Sequence, residues 1–340
     1  MKRTVLLSFI SVLAVVILAS VQLAEAQQPG KVYRIGYVCG SCPRPLGAHH
    51  IAFWQRMREL GYVEGQNLVI EERNVKGTGS RWSQAAKLAA EMVRLKLDVI
   101  VTMPSATVTS EFQRATRTIP IVMPGMRADP VEEGFVMSLA RPGGNITGLT
   151  NLNSKLYGKR LQLLKKAFPQ MSRVSILWAG SQRRRSMKEI EPVAQALGIK
   201  IQSLNVIRPH HLERAFSAIL HTDRAQPRES PRGLLIATTH IMRTHRARIL
   251  EFAAKRRLPA MYDRSPWVDA GGLMYFGTNL VELRRRTATY VDKILKGAKP
   301  GDLPVEQSTN FHFVINLKTA KQLGITIPPT VLFRATKVIK

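Results

Sequence analysis

Hydroxyl, charged and aromatic side chains recur in the loops that follow short apolar segments of the chain. Hydroxyls and the amides that open helices can hold a carboxylate, arginine can pair with an anion, and aspartate can bind an ammonium group. The candidates that offer such groups or an aromatic packing surface are Ser41, Ser105, Thr107, Arg127, Asp129, Ser181, Thr238, Tyr262, Asp263 and Phe276. This set predicts the binding of a small zwitterion or organic acid rather than the turnover of a substrate.

Most of these residue types also have an ordinary structural interpretation. Serine and threonine at such places are typical helix N-caps, and Asp129-Pro130 is typical of a turn. The run Arg183-Arg184-Arg185 could pair with an anion or could open a solvated helix. The sequence leaves both interpretations open for each of these groups.

The chain contains two cysteines, Cys39 and Cys42, spaced C-x-x-C. In a reducing compartment this spacing would suggest redox chemistry or half of a metal site, whereas outside the cytosol a small-loop disulfide is the simpler outcome. A thioredoxin-like role needs the motif at a helix N-terminus, and Pro43 and Pro45 favour a loop there. Unpaired thiols and redox catalysis stay open, but we predict a disulfide between Cys39 and Cys42.

Motifs of catalysis and of cofactor binding are missing from the sequence. It has no G-x-S-x-G, no Walker loop, no G-x-G-x-x-G after the first apolar segment and no H-E-x-x-H. The pairs His49-His50 and His210-His211 lack acidic or cysteine companions at metal-ligand spacing. We therefore predict a protein that is not an enzyme and that needs no cofactor and no metal.

The order of apolar segments occurs twice, over residues 33–123 and 174–262. Each half reads strand, helix, strand, helix, strand, helix and short strand. The strand segments are short continuous apolar runs, as a parallel sheet covered on both faces requires, and the helical segments show a period of 3.6 residues. The predicted fold class is α/β, with two doubly wound parallel-sheet lobes joined by a hinge.

The repeat also predicts where the chain passes between lobes. Lobe I should hold residues 31–147 plus about 279–305, and lobe II residues 148–278 plus about 306–340. Ligands of parallel α/β sheets bind beyond the carboxyl ends of the strands. The candidate residues should therefore line a cleft between the two lobes.

Residues 1–26 have the pattern of a cleavable signal peptide. Lys2 and Arg3 precede an apolar run over 5–18, and the small-residue triplet Ala24-Glu25-Ala26 follows it. Cleavage is expected before Gln27, which predicts a periplasmic protein.

Positive charge dominates the composition, with 51 Lys and Arg against 23 Asp and Glu, a net charge of +28. Nucleic acid is the usual partner of such a charge. Predicted export and the lack of a nucleic-acid-binding motif argue against it, so we interpret the charge as solvated lysine and arginine faces and expect no nucleic-acid partner.

Several long motifs resemble a known family. They are Asp129-Pro130-Val131, SLARPGGNITG at 138–148, ELGYVEGQN at 59–67, ILKGAKP at 294–300 and INLKTAK at 315–321. From about Tyr33 to the end, the chain resembles the ABC-transporter substrate-binding proteins that include the tryptophan-binding TrpX-like proteins. The resemblance implies the type I periplasmic-binding fold and a monomer that closes on an amino-acid-like solute and delivers it to an ABC permease in the inner membrane.

The chain departs from that family in the loops expected to touch the ligand. The loop after the first strand holds Cys39, Cys42 and Arg44, and the sequence after Ala237 reads Thr-Thr-His-Ile-Met. The solute therefore does not follow from the resemblance. Two other functions stay open, namely an exported thiol-disulfide redox protein that uses Cys39 and Cys42 and a solute-sensing module for a membrane receptor.

Overall fold

Two β-sheets, each with its own helices, form the protein in the computed structural model, which describes residues 31–39, 46–75, 81–151, 155–224 and 232–340. The predicted signal peptide, Ser41 and Cys42 lie outside these residues. Among the described helices, none is long and apolar enough to cross a membrane.

The first sheet has six strands in the order β11-β5-β4-β3-β1-β2, and every neighbouring pair is parallel. Its strands are β1 Tyr33–Cys39, β2 Leu68–Asn74, β3 Val99–Val101, β4 Ile121–Met126, β5 Ile146–Thr150 and β11 Glu306–Gln307. The helices of this lobe are α1 Ala48–Glu59, α2 Arg81–Arg94, α3 Ala106–Ala115 and α10 Leu280–Leu295, with a 3₁₀ turn at Pro300–Asp302.

The second sheet has seven strands in the order β13-β12-β10-β9-β8-β6-β7. Its strands are β6 Arg173–Trp178, β7 Lys200–Asn205, β8 Arg232–Ile236, β9 Ala260–Tyr262, β10 Met274–Thr278, β12 Phe311–Asn316 and β13 Lys337–Ile339. The helices are α4 Leu156–Ala167, α5 Ser181–Ala196, α6 Pro209–Arg224, α7 His240–Thr244, α8 Arg246–Lys255, α9 Ser265–Asp269, α11 Leu317–Leu323 and α12 Pro329–Leu332. Only β10 and β12 pair antiparallel among these described strands, because β12 returns from the other lobe.

Each sheet separates two hydrophobic clusters, one on each face. Successive side chains of a strand point to opposite faces, so Val99 and Val101 pack toward α1 and α10 while Ile100 packs toward α2 and α3. Burial on both faces explains the continuous apolar runs of the sequence. The predicted α/β fold with two doubly wound lobes is confirmed.

Three crossing segments join the lobes, after β5, after β10 and between β11 and β12. The third is bonded to both others, since Ser308 N donates to Thr150 O over 2.9 Å and Asn279 N donates to Asn310 O over 3.0 Å. The predicted boundary at 147/148 falls inside β5, and β11 places residues 306–307 in the first sheet. The first and third crossings therefore begin a few residues later than the sequence indicated, because β5 and β11 form one side of the first sheet.

Candidate functional site

The carboxyl ends of the parallel strands of both sheets lie on the side of the crossings. β5 ends at the first crossing and β10 ends at the second, and the parallel neighbours of each strand end on the same side. Loops and helix N-termini gather at such edges, where α/β proteins bind ligands. The candidate site therefore lies where these two edges meet the crossings.

In lobe II, two predicted site residues come together at this edge. Thr238 follows β8 and Asp263 follows β9, and the Thr238 hydroxyl donates to Asp263 Oδ1. Trp267 Nε1 donates to Thr238 Oγ1 over 2.8 Å, and the Tyr157 hydroxyl lies 3.4 Å from Asp263 Oδ2. The Asp263 carboxylate is 7% exposed, so neutral donors hold an acidic group at the rim of the lobe.

Tyr157 also packs against a buried arginine that was not predicted from the sequence. Arg160 is fully buried, its Nε donates to Phe276 O over 2.8 Å, and its guanidinium lies 4.6 Å from the centre of the Tyr157 ring. The Phe276 ring, another predicted site residue, is half-buried and stacks on Phe311 with ring centres 5.6 Å apart. Phe276 thus offers part of an aromatic face, and its backbone is fixed by Arg160.

Tyr262 occupies a different environment from the one that the sequence predicts. Its ring is 1% exposed and stacks on Trp267, with ring centres 4.9 Å apart. Complete burial raises the pKa of the Tyr262 hydroxyl. The ring therefore packs in the core of lobe II, beneath the edge that carries Asp263.

In lobe I, two predicted residues have structural roles. Ser105 caps α3, its Oγ accepting from Val108 N at 3.5 Å, and Asp129 Oδ1 accepts from Val131 N at 3.0 Å inside a turn. Arg127, which follows β4, and Thr107, in the first turn of α3, are half-buried at the carboxyl edge. Neither is brought into contact with Asp263.

The remaining predicted site residues fall at the limits of the described structure. Ser181 is the first residue of α5, and its side chain lies outside the described part, as does all of Ser41. Cys39 is disulfide-bonded. Cys42, the other cysteine of the chain, lies outside the described residues, and its pairing with Cys39 stays a prediction.

A cluster in lobe I was missed by the sequence analysis. The Tyr37 hydroxyl lies 2.8 Å from His50 Nδ1, and Arg284 Nη1 donates to Pro124 O over 3.0 Å. Burial lowers the pKa of both His49 and His50 to about 4, and the positive charge of Arg284 contributes to each shift. Burial raises the pKa of the Tyr37 hydroxyl. This cluster places a cation among neutral polar groups.

The sequence signal that could have revealed this cluster is the helical periodicity of buried residues in α10. Arg284 shares the buried face of α10 with Thr287, Ala288 and Val291, at spacings of three, four and seven residues. In a chain rich in lysine and arginine this signal is easy to overlook, because Arg284 belongs to a run of three arginines that would be taken as solvent-exposed.

Metal-ligating side chains and surface pockets of the described residues could indicate other sites. Among them, no group of three or more His, Cys, Asp or Glu side chains could hold a metal ion. A surface pocket of about 310 Å³ lies beside β7, lined by Leu204, Asn205, His211, Arg214, Ala215 and Ala218. β7 is the edge strand of the second sheet farthest from the crossings, so this pocket is separate from the candidate site.

Comparisons with known proteins identify relatives of the whole fold. A family model described as ABC transporter substrate binding protein matches residues 50–339. A protein of Clostridioides difficile (strain R20291), named as a tyrosine-binding protein, is 22% identical over 275 residues, which are 80% of this chain and 75% of that protein.

Solved structures with a similar fold include the following three bacterial proteins. An ABC domain from Streptococcus pneumonia in complex with L-Trp is 23% identical, with a TM-score of 0.77. A conserved domain protein from Vibrio cholerae is 25% identical, also with a TM-score of 0.77; each alignment covers 91% of this chain and 100% of the other. A ligand-free, open substrate-binding protein with adhesive properties from Clostridium difficile is 22% identical, with a TM-score of 0.70 and coverage of 91% and 99%.

Proposed function

Because the chain belongs to the family of ABC transporter substrate-binding proteins, we propose that it is an exported receptor that captures a small solute and delivers it to an ABC permease in the inner membrane. The family match over residues 50–339 carries this proposal, since it spans both lobes and all three crossings. Members of this family are solute-binding proteins and not enzymes. The N-terminal sequence pattern supports export to the periplasm.

Capture would occur by closure of the lobes about the crossings. The lobes have separate hydrophobic clusters, so each can move as a body, and the crossings are short segments held by the two backbone hydrogen bonds at Ser308 and Asn279. A solute that contacts both carboxyl edges binds the closed form more tightly than the open form. That difference in affinity drives closure, and the closed form is the one that the permease would recognise.

The solute class that we propose is an amino acid or a small organic acid. Among the relatives described above, one is named as a tyrosine-binding protein and another is a domain in complex with L-Trp. In this chain, Asp263 places a carboxylate at the edge of lobe II, where it can accept from an ammonium group, and the half-buried Phe276 offers an aromatic face. A zwitterion with an aromatic or apolar side chain matches these groups.

A thermal-shift screen of the mature protein tests this proposal. The panel contains L-tyrosine, L-tryptophan, L-phenylalanine, aliphatic amino acids, dicarboxylates and neutral sugars. A ligand present at about 100 times its dissociation constant stabilises the folded state by ~2.7 kcal/mol, which should raise the melting temperature by roughly 4 °C for a chain of this length. If sugars alone stabilise the protein, the proposed solute class is wrong; if nothing in the panel does, the capture of an amino acid or organic acid is refuted.

Closure and export need their own measurements. Small-angle scattering should give a smaller radius of gyration when the best ligand of the screen is added, and an unchanged radius would contradict closure. N-terminal sequencing of the protein from a periplasmic fraction should begin at Gln27, and retention in the cytoplasm would contradict export.

A further inference from the structure

Three consecutive arginines of α10 have very different partners. Arg285 makes two hydrogen bonds to the Glu59 carboxylate, of 2.9 and 2.7 Å, and Arg286 Nε donates to Glu306 over 2.7 Å. Arg284 is the most buried of the three at 7% exposed, and among the described residues its side chain donates to one acceptor, Pro124 O, over 3.0 Å. Within the described part of the chain, no carboxylate lies within ion-pair distance of Arg284.

A buried guanidinium without a counter-ion is an unfavourable arrangement. The group has five N–H donors in a planar fork, and one carbonyl oxygen satisfies only one of them. Removing a charge from water is costly unless an opposite charge compensates it. The half-buried neighbours Arg285 and Arg286 each pair with a carboxylate from another element, Glu59 of α1 and Glu306 of β11, whereas no described carboxylate pairs with Arg284.

The surroundings of Arg284 favour an anion. His49 and His50 are neutral at pH 7, because burial and the nearby positive charge lower the pKa of each to about 4. The Tyr37 hydroxyl and His50 Nδ1 are 2.8 Å apart, so one of the two donates to the other. Glu72 is the acidic residue whose charge acts on Tyr37, and among the described residues it makes no ion pair with Arg284, so the cluster supplies no carboxylate that holds the guanidinium.

The location of Arg284 matches the proposed solute site. Asn279, in the second crossing, is the N-cap of α10, and Arg284 lies about one turn into the helix. Its acceptor, Pro124, belongs to the last half of β4, and His49 and His50 lie in the first turn of α1, beyond the carboxyl end of β1. The guanidinium therefore lies at the carboxyl edge of lobe I, beside the crossing about which the lobes would close.

We propose that Arg284 binds the carboxylate of the captured solute, so that the solute class is defined by a free carboxylate held from lobe I. This inference rests on the proposed receptor function and extends it by naming the group that recognises the ligand. Arginine suits the role because its fork matches a carboxylate in a bidentate geometry. A complementary ammonium group would face Asp263 on lobe II.

The test pairs two ligands that differ only in the carboxylate. Binding of L-tyrosine and tyramine, and of L-tryptophan and tryptamine, is measured by calorimetry on the wild-type protein, on Arg284→Met and on Arg284→Lys. The wild type should bind each amino acid at least about 100-fold more tightly than the matching amine. Arg284→Met should lose about 100-fold for the amino acid and little for the amine, and Arg284→Lys should fall between, because it keeps the charge and loses the fork.

Controls separate a binding role from a structural one. Arg285→Met removes a half-buried arginine of the same helix and should leave the affinity ratio of amino acid to amine unchanged. Circular dichroism verifies that each variant is folded; should Arg284→Met fail to fold, Arg284→Lys alone decides, by a reduced ratio. Wild-type affinity for the amino acid retained in a folded Arg284→Met, or equal losses for the amino acid and the amine, would overturn the inference.

A further arm distinguishes failure of this inference from failure of the receptor proposal. If the wild type binds a solute without a carboxylate at least as tightly as the matching amino acid, the receptor function stands and the role of Arg284 is refuted. If the wild type binds none of these ligands, the amino-acid receptor proposal fails, and acetate then probes the site alone. Acetate at 100 mM should raise the melting temperature of the wild type more than that of Arg284→Lys, whereas equal shifts would refute an anion site.

Discussion

Acidification should destabilise the folded chain through the neighbouring rings of His49 and His50. Burial first, and then the positive charge of Arg284, lower the pKa of His50 from 6.5 to about 4. His49 is lowered to about 4 by burial, by His50 and by Arg284. Both rings are therefore neutral in the folded chain at pH 5. In the unfolded chain, the same rings bind protons once the pH falls below about 6.5.

The sign follows from this difference in proton binding. The unfolded state takes up more protons than the folded state between pH 6.5 and pH 4, so stability is greatest above pH 6.5 and is lost as the pH falls through this window. A fully shielded histidine with these pKa values would lose about 2 kcal/mol between pH 7 and pH 5. Both rings retain some contact with solvent, which screens the charges, so we expect about 1 kcal/mol from each.

Urea unfolding at pH 7 and pH 5 measures this loss. Other titrating groups also contribute, so the informative quantity is the difference between the wild type and His50→Asn, which keeps a polar atom near the position of Nδ1 for Tyr37. The variant should lose about 1 kcal/mol less than the wild type between the two pH values. His210→Asn, at an exposed position of α6, is the control and should behave as the wild type. Equal losses in the wild type and in His50→Asn would refute the reasoning.

Two further predictions concern the packing of each lobe and are also measured by urea unfolding. Gly148→Ala should lower the free energy of unfolding by at least about 2 kcal/mol, because φ at Gly148 is +125° and an added Cβ would lie 2.6 Å from Met123 N. The control Gly144→Ala has open space around the added Cβ and should lower it by less than about 1 kcal/mol. Similar losses in the two variants would contradict this account. Thr238→Val should cost about 2–3 kcal/mol, because it leaves a buried indole N–H and a buried carboxylate without the hydroxyl that joins them. The control Thr102→Val removes one hydrogen bond, between the hydroxyls of Thr102 and Thr109 in lobe I, and should lower the free energy of unfolding by about 1 kcal/mol. A larger loss in this control than in Thr238→Val would count against the proposed importance of the lobe II cluster.

Local signals in the sequence were sufficient for much of the fold. The predicted order of strands and helices over residues 33–123 and 174–262 agrees with the structure, and two helices beyond those halves, α10 and α11, carry local signals of the same kind. In the two helices, apolar period and capping agree, since Asn279 and Asn316 each accept from a backbone N–H of the first turn. The lobe boundaries at 147/148 and 305/306 were less predictable, because the extent of β5 and the presence of β11 depend on pairing with distant strands.

The candidate site was less predictable, because side-chain direction depends on tertiary packing. Thr238 and Asp263 could be paired from the sequence, since they follow neighbouring parallel strands. Tyr262 precedes Asp263 by one residue, and alternation along the strand turns its ring into the core, where Trp267 of α9 covers it. Arg284 was missed because charge composition suggested a solvated run, while only the helical period marks it as buried.

The path of the last crossing has a consequence for the order in which the molecule assembles. β11 is the edge strand of the first sheet, and β12 and β13 complete the second sheet, so residues 306–339 supply strands to both lobes. Neither sheet can be completed until the ribosome has made nearly the whole chain. If the chain is exported as proposed, this late completion keeps it from finishing its fold before it crosses the membrane. Truncation at residue 305 should leave both lobes unfinished at once.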